Sequence, residues 1–133
     1  IPVVANGDCA NFSDAKAMLA ASGADAVMIG RASYGAPWTA GAVAAEAEGK
    51  ARAFADEHIS DYVVSHYQDM LDFYGEQSGL RQARKHLRWY LDRHAPLSAP
   101  NLRQLILQSF DVTEVMRSIR LAFAGQPHER KAA

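Results

Sequence analysis

The sequence lacks the features that mark several common classes of protein. Its 133 residues include one cysteine, Cys9, so no internal disulfide can form, and this fits a reducing cytoplasm. No run of about 18 apolar residues is present, which argues against a membrane-spanning helix. Five scattered histidines and one thiol give no metal-ligand spacing, and no histidine near Cys9 could activate it as a nucleophile. We therefore expect a cytoplasmic protein without a bound metal.

What the sequence does have is an uneven distribution of charge. Residues 1–76 carry 4 Lys/Arg and 11 Asp/Glu, a net charge of −7, whereas residues 77–133 carry 10 Lys/Arg and 4 Asp/Glu, a net charge of +6. A basic half of this kind favours a polyanionic partner such as nucleic acid. Ordinary solvated charge is the alternative explanation.

The beginning of the chain predicts one βαβ unit. Apolar runs at residues 2–5 and 26–29 are typical of buried parallel strands, and each is followed by a glycine turn. Between them, Asn11 or Ser13 can cap a helix that Gly23 ends. Because the chain begins at a strand, without methionine or a leader sequence, we expect it to be part of a longer protein.

Beyond the second strand the pattern predicts only helices. Apolar residues recur at spacings of three and four in segments bounded by glycine or proline. Short connections favour antiparallel packing, so we expect an α/β segment over residues 1–50 and an all-α four-helix bundle over residues 51–133. The predicted helices cover about residues 39–47, 55–74, 79–94, 100–109 and 112–124, with a joint near 48–53, Tyr74 among the inward-facing residues, and a frayed tail from Gln126.

The first signal that carries chemistry is a pair of strand-ending turns, Asn6-Gly7-Asp8 and Gly30-Arg31. In parallel sheets and barrels the carboxyl ends of the strands face the ligand, and the loops after the last two strands of a (β/α)8 barrel form a recurring phosphate site. Glycine and consecutive backbone N–H groups admit an anion closely, and Arg31 adds a cation with two-pronged geometry. The turns favour phosphate binding, with ordinary structural turns as the alternative.

The second signal is a stripe of cations on the helix predicted over residues 79–94. At about 100° per residue, four basic side chains share one arc and five apolar or small side chains share another. Like charges on one helical face repel by about a few tenths of a kcal/mol per pair, so the stripe needs either acidic neighbours or a phosphate backbone. The cations are Arg81, Arg84, Lys85 and Arg88, and the packing residues are Leu80, Ala83, Leu87, Tyr90 and Leu91.

Together, these segments resemble the carboxy-terminal part of the tRNA-dihydrouridine synthases, and the helical segments resemble the bacterial DusB branch. The barrel turns alone would suit other FMN-binding barrels. The Gly-Arg…Gly-x-Pro-Trp run, followed by Arg-Lys-His-Leu-x-Trp-Tyr, is much more specific. The resemblance covers nearly the whole chain and rests on residues 1–8, 23–31, 35–38, 73–75, 79–81, 83–87 and 89–91.

This resemblance implies a flavin-dependent oxidoreductase that uses NADPH and FMN to reduce uridine to 5,6-dihydrouridine in tRNA. It also implies that residues 1–50 are strands 7 and 8 of a TIM (β/α)8 barrel with their helices, and that residues 51–133 are a helical tRNA-binding domain. The implied FMN-binding residues are Asn6, Gly7, Asp8, Gly30 and Arg31, and the implied tRNA-binding residues are Arg81, Arg84, Lys85 and Arg88.

The chain departs from the family pattern in what it lacks. The family's catalytic cysteine, and the lysine and histidine that touch flavin and substrate, lie on earlier strands, and Cys9 does not occupy the cysteine's place. We therefore expect no catalytic residue in this chain, and no activity from it alone, because two strands cannot close a barrel. Two alternatives remain: another FMN- or phosphate-binding barrel oxidoreductase, or a non-enzymatic helical RNA-binding module.

Overall fold

The chain divides into two structural units, Ile1–Ala55 and Asp56–Ala133. The computed structural model describes residues 1–50 and 59–124 of them. The first unit combines a short sheet with helices, and the second is helical throughout its described part. The identification of the units as a barrel end and a tRNA-binding domain stays a prediction.

The first unit contains a two-stranded parallel sheet. Strand β1 (Val4–Asn6) is connected through helix α1 (Phe12–Ser22) to strand β2 (Ala26–Met28). The predicted βαβ order is therefore confirmed. Asn6 pairs with Met28, so Asn6 is the last residue of β1 and not part of the following turn as predicted.

Helix α1 begins and ends where its flanking residues predict. The side chain of Asn11 accepts a hydrogen bond from the N–H of Asp14 at 2.9 Å, which makes Asn11 the cap. Gly23 ends the helix with φ 66°, in the left-handed region that favours glycine. After β2 the chain forms a 3₁₀ helix (Arg31–Ser33) and then α2 (Thr39–Ala47), which matches the predicted range.

The strands are more exposed than their apolar sequences predict. Val3 and Val4 are each 57% exposed, and Met28 is 49% exposed. A buried parallel strand needs neighbouring strands on both edges and layers on both faces, whereas the described part of this chain contributes only β1 and β2 to the sheet. The prediction of buried strands is therefore wrong for this chain by itself.

The second unit has four helices within residues 59–124: α3 (Ile59–Tyr74), α4 (Glu76–His94), α5 (Pro100–Gln108) and α6 (Val112–Ala124). Helix α3 packs against α4 and α6, and α5 packs against the same two helices. The predicted ranges of α5 and α6 agree with the structure to within one residue. The predicted start of α4 at residue 79 is three residues late.

Gly79 lies inside α4, at a point where α3 approaches too closely to leave room for a side chain. A Cβ at Gly79 would lie 2.7 Å from the Cα of Leu71 and 2.8 Å from the carbonyl oxygen of Met70. The glycine that separates the two helices is Gly75, whose φ of 75° an L-residue with a side chain rarely adopts. Gly75 thus ends α3 as predicted, and Gly79 serves helix packing.

The core of the second unit contains the predicted packing face of α4. Leu80, Ala83, Leu87, Tyr90 and Leu91 are exposed by 7, 0, 2, 2 and 1%, respectively. Apolar residues of the other three helices are also buried in this unit, among them Val63, Tyr67, Ile106, Val115 and Ile119. Tyr74, predicted to face inward, is 51% exposed because it is the last residue of α3.

Some predictions concern residues outside the described ranges. Two predicted segments lie wholly outside them: residues 55–58, at the start of the helix predicted over residues 55–74, and the tail from Gln126. The predicted joint near residues 48–53 lies partly outside them. Within residues 1–50 and 59–124, no helix combines the length and apolarity needed to cross a membrane.

Candidate functional site

The two strand-ending turns lie side by side. Because β1 and β2 are parallel and Asn6 pairs near the end of β2, the turns after both strands leave the sheet at the same edge. Gly7 and Asp8 follow β1, whereas Gly30 and Arg31 lie shortly after β2. A guanidinium N–H of Arg31 donates a hydrogen bond to Asp8 Oδ1 at 2.7 Å and links the turns directly. The structure therefore gathers all five predicted FMN-binding residues at one edge.

This edge is accessible to a ligand. The side chains of Arg31 and Asp8 are 78% and 88% exposed. A Cβ placed on Gly30 would meet no heavy atom within 4 Å, so there is open space beside its backbone, whereas one on Gly7 would lie 3.2 Å from Met18 Cε. The guanidinium suits a phosphate, and the Asp8 carboxylate can accept hydrogen bonds from hydroxyl groups. This donor and acceptor set fits a phosphorylated, hydroxyl-bearing group such as FMN.

Cys9 is a packing residue of the first unit. It is 1% exposed, and its thiol points at the carbonyl oxygen of Asn11 at 3.8 Å. Its N–H donates to the carbonyl of Gly7 at 3.0 Å, which helps to hold the turn after β1. A thiol this deeply buried cannot reach a substrate in this conformation.

In the second unit, α4 and α5 border an open groove of about 520 Å³, which we call the basic groove. One wall consists of the four predicted cations and Trp89, and the other consists of residues of α5. The groove is lined by Arg81, Arg84, Lys85, Arg88 and Trp89 of α4 and by Arg103, Gln104, Leu107 and Gln108 of α5. The four cations predicted to bind RNA thus share one concave surface.

Acidic side chains do not neutralise these four cations in the part of the chain that the structure describes, where none of the ion pairs involves them. Asp92 lies on the same helix as these cations, but it pairs with Arg103 of α5. The carboxylates of α3 form no ion pair with these cations within residues 59–124. The positive charge therefore faces solvent.

Two of the cations also contact aromatic rings. The Arg84 guanidinium lies over the Phe110 ring at 4.9 Å from its centroid and donates to the carbonyl oxygen of Gln108 at 3.3 Å. Lys85 Nζ lies 5.2 Å from the centroid of a Trp89 ring. These contacts restrict side chains that would otherwise be mobile, which lowers the entropic cost of binding an anion.

The α5 wall was missed by the sequence prediction. Arg103, Gln104 and Gln108 point into the groove, and Arg103 also donates to the carbonyl of Ala95 at 3.5 Å. The signal was present in the short connection between α4 and α5, because a tight connection places neighbouring helices antiparallel. To predict these groove residues from that connection, one would also have to know which face of α5 turns toward α4.

A cluster of histidine and tyrosine lies behind the groove, between α3 and α4. His86 packs edge-on against Trp89 at 5.2 Å and against His66 at 5.5 Å. His66 Nδ1 is hydrogen-bonded to the Tyr90 hydroxyl at 2.8 Å. Burial lowers the pKa of both histidines and raises the pKa of Tyr90. Neutral imidazoles are therefore favoured, and they add no charge to the groove at neutral pH.

Comparison with known families connects both units to one group of proteins. The family model described as dihydrouridine synthase (Dus) matches residues 1–126. A probable tRNA-dihydrouridine synthase of Rhizobium leguminosarum bv. phaseoli is 47% identical over 134 residues, which cover 100% of this chain and 41% of that protein. A probable tRNA-dihydrouridine synthase of Rhodobacter capsulatus is 42% identical, with 100% and 39% covered.

The similarity extends to the DusB branch. The tRNA-dihydrouridine synthase B of Salmonella typhimurium is 40% identical over 106 residues, which cover 72% of this chain and 30% of that protein. The chain thus spans about two fifths of the length of the first two relatives, 41% and 39%. These matches confirm the resemblance inferred from the strand-ending turns and the helical motifs. The chain belongs to the dihydrouridine synthase (Dus) family.

Proposed function

We propose that this chain forms part of a cytoplasmic, flavin-dependent enzyme that reduces uridine to 5,6-dihydrouridine in tRNA. The observation that carries the proposal is the family match over residues 1–126, which takes in the described parts of both units. Relatives that carry the name tRNA-dihydrouridine synthase are similar over the full length of the chain. The substrate, the FMN cofactor and the NADPH reductant follow from the family and are part of the proposal.

The first unit contributes strands 7 and 8 of the proposed TIM barrel. Its parallel β1-α1-β2 order is the repeating element of such a barrel. The exposed apolar side chains of Val3, Val4 and Met28 also fit this role, since strands and helices from the rest of a barrel would cover them. The catalytic residues then belong to the strands that precede this unit.

The edge where the two turns meet is the proposed FMN site. Arg31 and the open backbone at Gly30 bind the phosphate. The Asn6 amide donates to or accepts from the sugar-alcohol hydroxyls, and the Asp8 carboxylate accepts from them. Gly7 keeps the turn after β1 close to α1, where a side chain would press on Met18. FMN, when bound, supplies the hydride for reduction of the uracil ring. The residues of this unit position the cofactor and take no part in proton transfer.

The basic groove is the proposed tRNA contact. Arg81, Lys85 and Arg88 are exposed cations on one wall, and no carboxylate within residues 59–124 pairs with them. Such a row can follow the phosphates of a nucleic-acid backbone, releasing counterions as it binds. The proposed role of Arg84 is partly different, because that guanidinium is held by Gln108 and Phe110.

The full-length protein provides the test. We expect it to purify with bound flavin and, when NADPH is added, to increase the mass of an unmodified tRNA transcript by two hydrogens per reduced uridine. A reaction without NADPH is the control. Protein that is colourless, takes up no added FMN and leaves the transcript unchanged would contradict the proposal. Bound flavin without tRNA binding would favour a different barrel oxidoreductase, and RNA binding without flavin would favour a non-enzymatic module.

A further inference from the structure

Phe110 lies in the connection between α5 and α6 and is 73% exposed. A single exposed apolar residue is common on protein surfaces, so exposure alone has no functional meaning. The position of this ring is what distinguishes it. The Arg84 guanidinium lies 4.9 Å from its centroid, and both Arg84 and the adjacent Gln108 line the basic groove. The ring therefore stands at the rim of the groove, with most of its surface open.

The backbone on both sides of Phe110 is fixed by hydrogen bonds. The Ser109 hydroxyl donates to Glu114 Oε2 at 2.6 Å and accepts from the N–H of Asp111 at 3.1 Å. Asp111 Oδ1 in turn accepts from the N–H of Glu114 at 3.0 Å and caps the start of α6. Arg84 restricts the ring itself. The entropic cost of ordering this site when a ligand stacks on Phe110 would thus be small.

The chemistry around Phe110 selects among possible ligands. A cationic groove bordered by an exposed aromatic ring is the combination that proteins use for unpaired nucleotides, with phosphates on the cations and a base on the ring. Asp111 follows Phe110 in the chain, and Glu114 accepts a hydrogen bond from Ser109 on its other side, so two carboxylates lie at this connection. Their negative charge disfavours a phosphate there and leaves an uncharged base as the better partner. A base inside a continuous duplex is already stacked on both faces and is not available.

We propose that Phe110 stacks on an unpaired nucleobase of an RNA whose phosphates lie in the basic groove. This inference rests on the proposed function, because it requires that the groove bind RNA. The stack would consist of the base, the phenyl ring and the Arg84 guanidinium, each in contact with the next. Stacking at the rim of the groove would give the protein a preference for RNA with unpaired bases. Phosphate contacts alone cannot supply that preference.

The test compares two RNA probes on the full-length protein: a tRNA transcript, whose loops and 3′ end contain unpaired bases, and a fully paired RNA duplex with the same number of phosphates. Stacking on an aromatic side chain is worth enough that Phe110→Ala should weaken transcript binding by about tenfold. Binding of the duplex should not change. Phe110→Trp should keep the affinity for the transcript, since it preserves the stacking surface.

Phe73 offers a matched control, because it is 81% exposed but packs against Tyr74 at 4.8 Å and does not line the groove. Phe73→Ala should leave the binding of both probes unchanged. The stacking role would be overturned if Phe110→Ala bound the transcript with wild-type affinity, or if it lost the same affinity for both probes. Either result would leave RNA binding by the groove intact. If the wild-type protein bound neither probe, the proposed RNA-binding function would fail together with this inference.

Discussion

The guanidinium of Arg31 lies 2.7 Å from the carboxylate of Asp8, although the two residues are 23 positions apart in the chain. The contact forms because two parallel strands end at the same edge of the sheet. Both side chains are largely exposed, so water screens the pair, and it contributes only about 0–1 kcal/mol to stability. The Arg31 guanidinium can therefore leave Asp8 to bind a phosphate, or bind both groups at once, at little cost in free energy.

Arg31→Ala is the first prediction. In the full-length protein, loss of a charge-assisted hydrogen bond to phosphate should weaken FMN binding by about tenfold or more. The flavin-to-protein absorbance ratio after purification, followed by fluorescence titration with added FMN, measures the change. Lys16→Ala removes the same charge from an exposed site on α1 and serves as the control. Full flavin occupancy in Arg31→Ala would exclude a phosphate role for this residue.

The second prediction concerns the salt dependence of tRNA binding by the basic groove. If each of the four α4 cations contacts a phosphate, together they contribute roughly −3 to −4 to the slope of log affinity against log salt. Alanine at Arg81, Lys85 or Arg88 should each flatten that slope by about one unit. Filter binding or fluorescence anisotropy over a range of salt concentrations gives the slopes.

Two kinds of variant make the salt experiment specific. Arg117→Ala and Arg120→Ala remove exposed cations of α6 that do not line the groove, and their slopes should equal that of the wild type. Asp92→Asn should act in the opposite direction, because it frees Arg103 from its carboxylate partner and makes the slope steeper. Slopes that stay the same in every α4 variant would mean that the stripe is structural.

The cationic stripe and the packing face of α4 could be predicted because both lie on one helix. Helical periodicity alone fixes which side chains share a face, so Arg81, Arg88 and Leu87 fell into the correct groups. The opposite wall could not be obtained in this way. The placement of Arg103 and Gln104 depends on how α5 packs against α4, which is a tertiary property.

A similar limit applies to burial in the first unit. The apolar strand sequences reflect an environment with covered faces, and this chain alone does not cover Val4 or Met28. The cap at Asn11 and the stop at Gly23 were predictable, since both depend on local hydrogen bonding and backbone conformation. The position of Gly79 inside α4 was not, because its cause is the approach of a second helix.

That close approach gives the third prediction. In Gly79→Ala the new methyl group would overlap the backbone of α3 at Leu71 and Met70, so the helices must separate. We expect a loss of about 1–3 kcal/mol in the free energy of unfolding, measured by denaturant titration with circular dichroism. Gly41→Ala is the matched control, since it also lies in a helix but has open space around its Cα. That variant should gain up to about 1 kcal/mol. An unchanged stability in Gly79→Ala would show that the contact between α3 and α4 is loose.

The fourth prediction concerns the stability of the helical unit at acid pH. Burial lowers the pKa of His66, although the Asp69 carboxylate opposes this, and burial together with His66 and Lys85 lowers the pKa of His86. The unfolded chain therefore binds more protons than the folded chain once the pH falls below about 6.5, the ordinary value for histidine. The stabilisation is present above that pH and is lost as the pH falls through the folded-state values.

Variants of the two histidines separate this effect from the titration of carboxylates. His66→Gln and His86→Gln remove one titrating group each, so the difference in melting temperature between pH 7 and pH 5 should be smaller in each variant than in the wild type. NMR titration of the imidazole signals should place both pKa values below the ordinary value, because burial among packed rings disfavours the charged imidazolium. An equal melting-temperature difference in wild type and variants, or an ordinary pKa for both residues, would mean that solvent reaches the cluster freely and that it does not couple proton binding to folding.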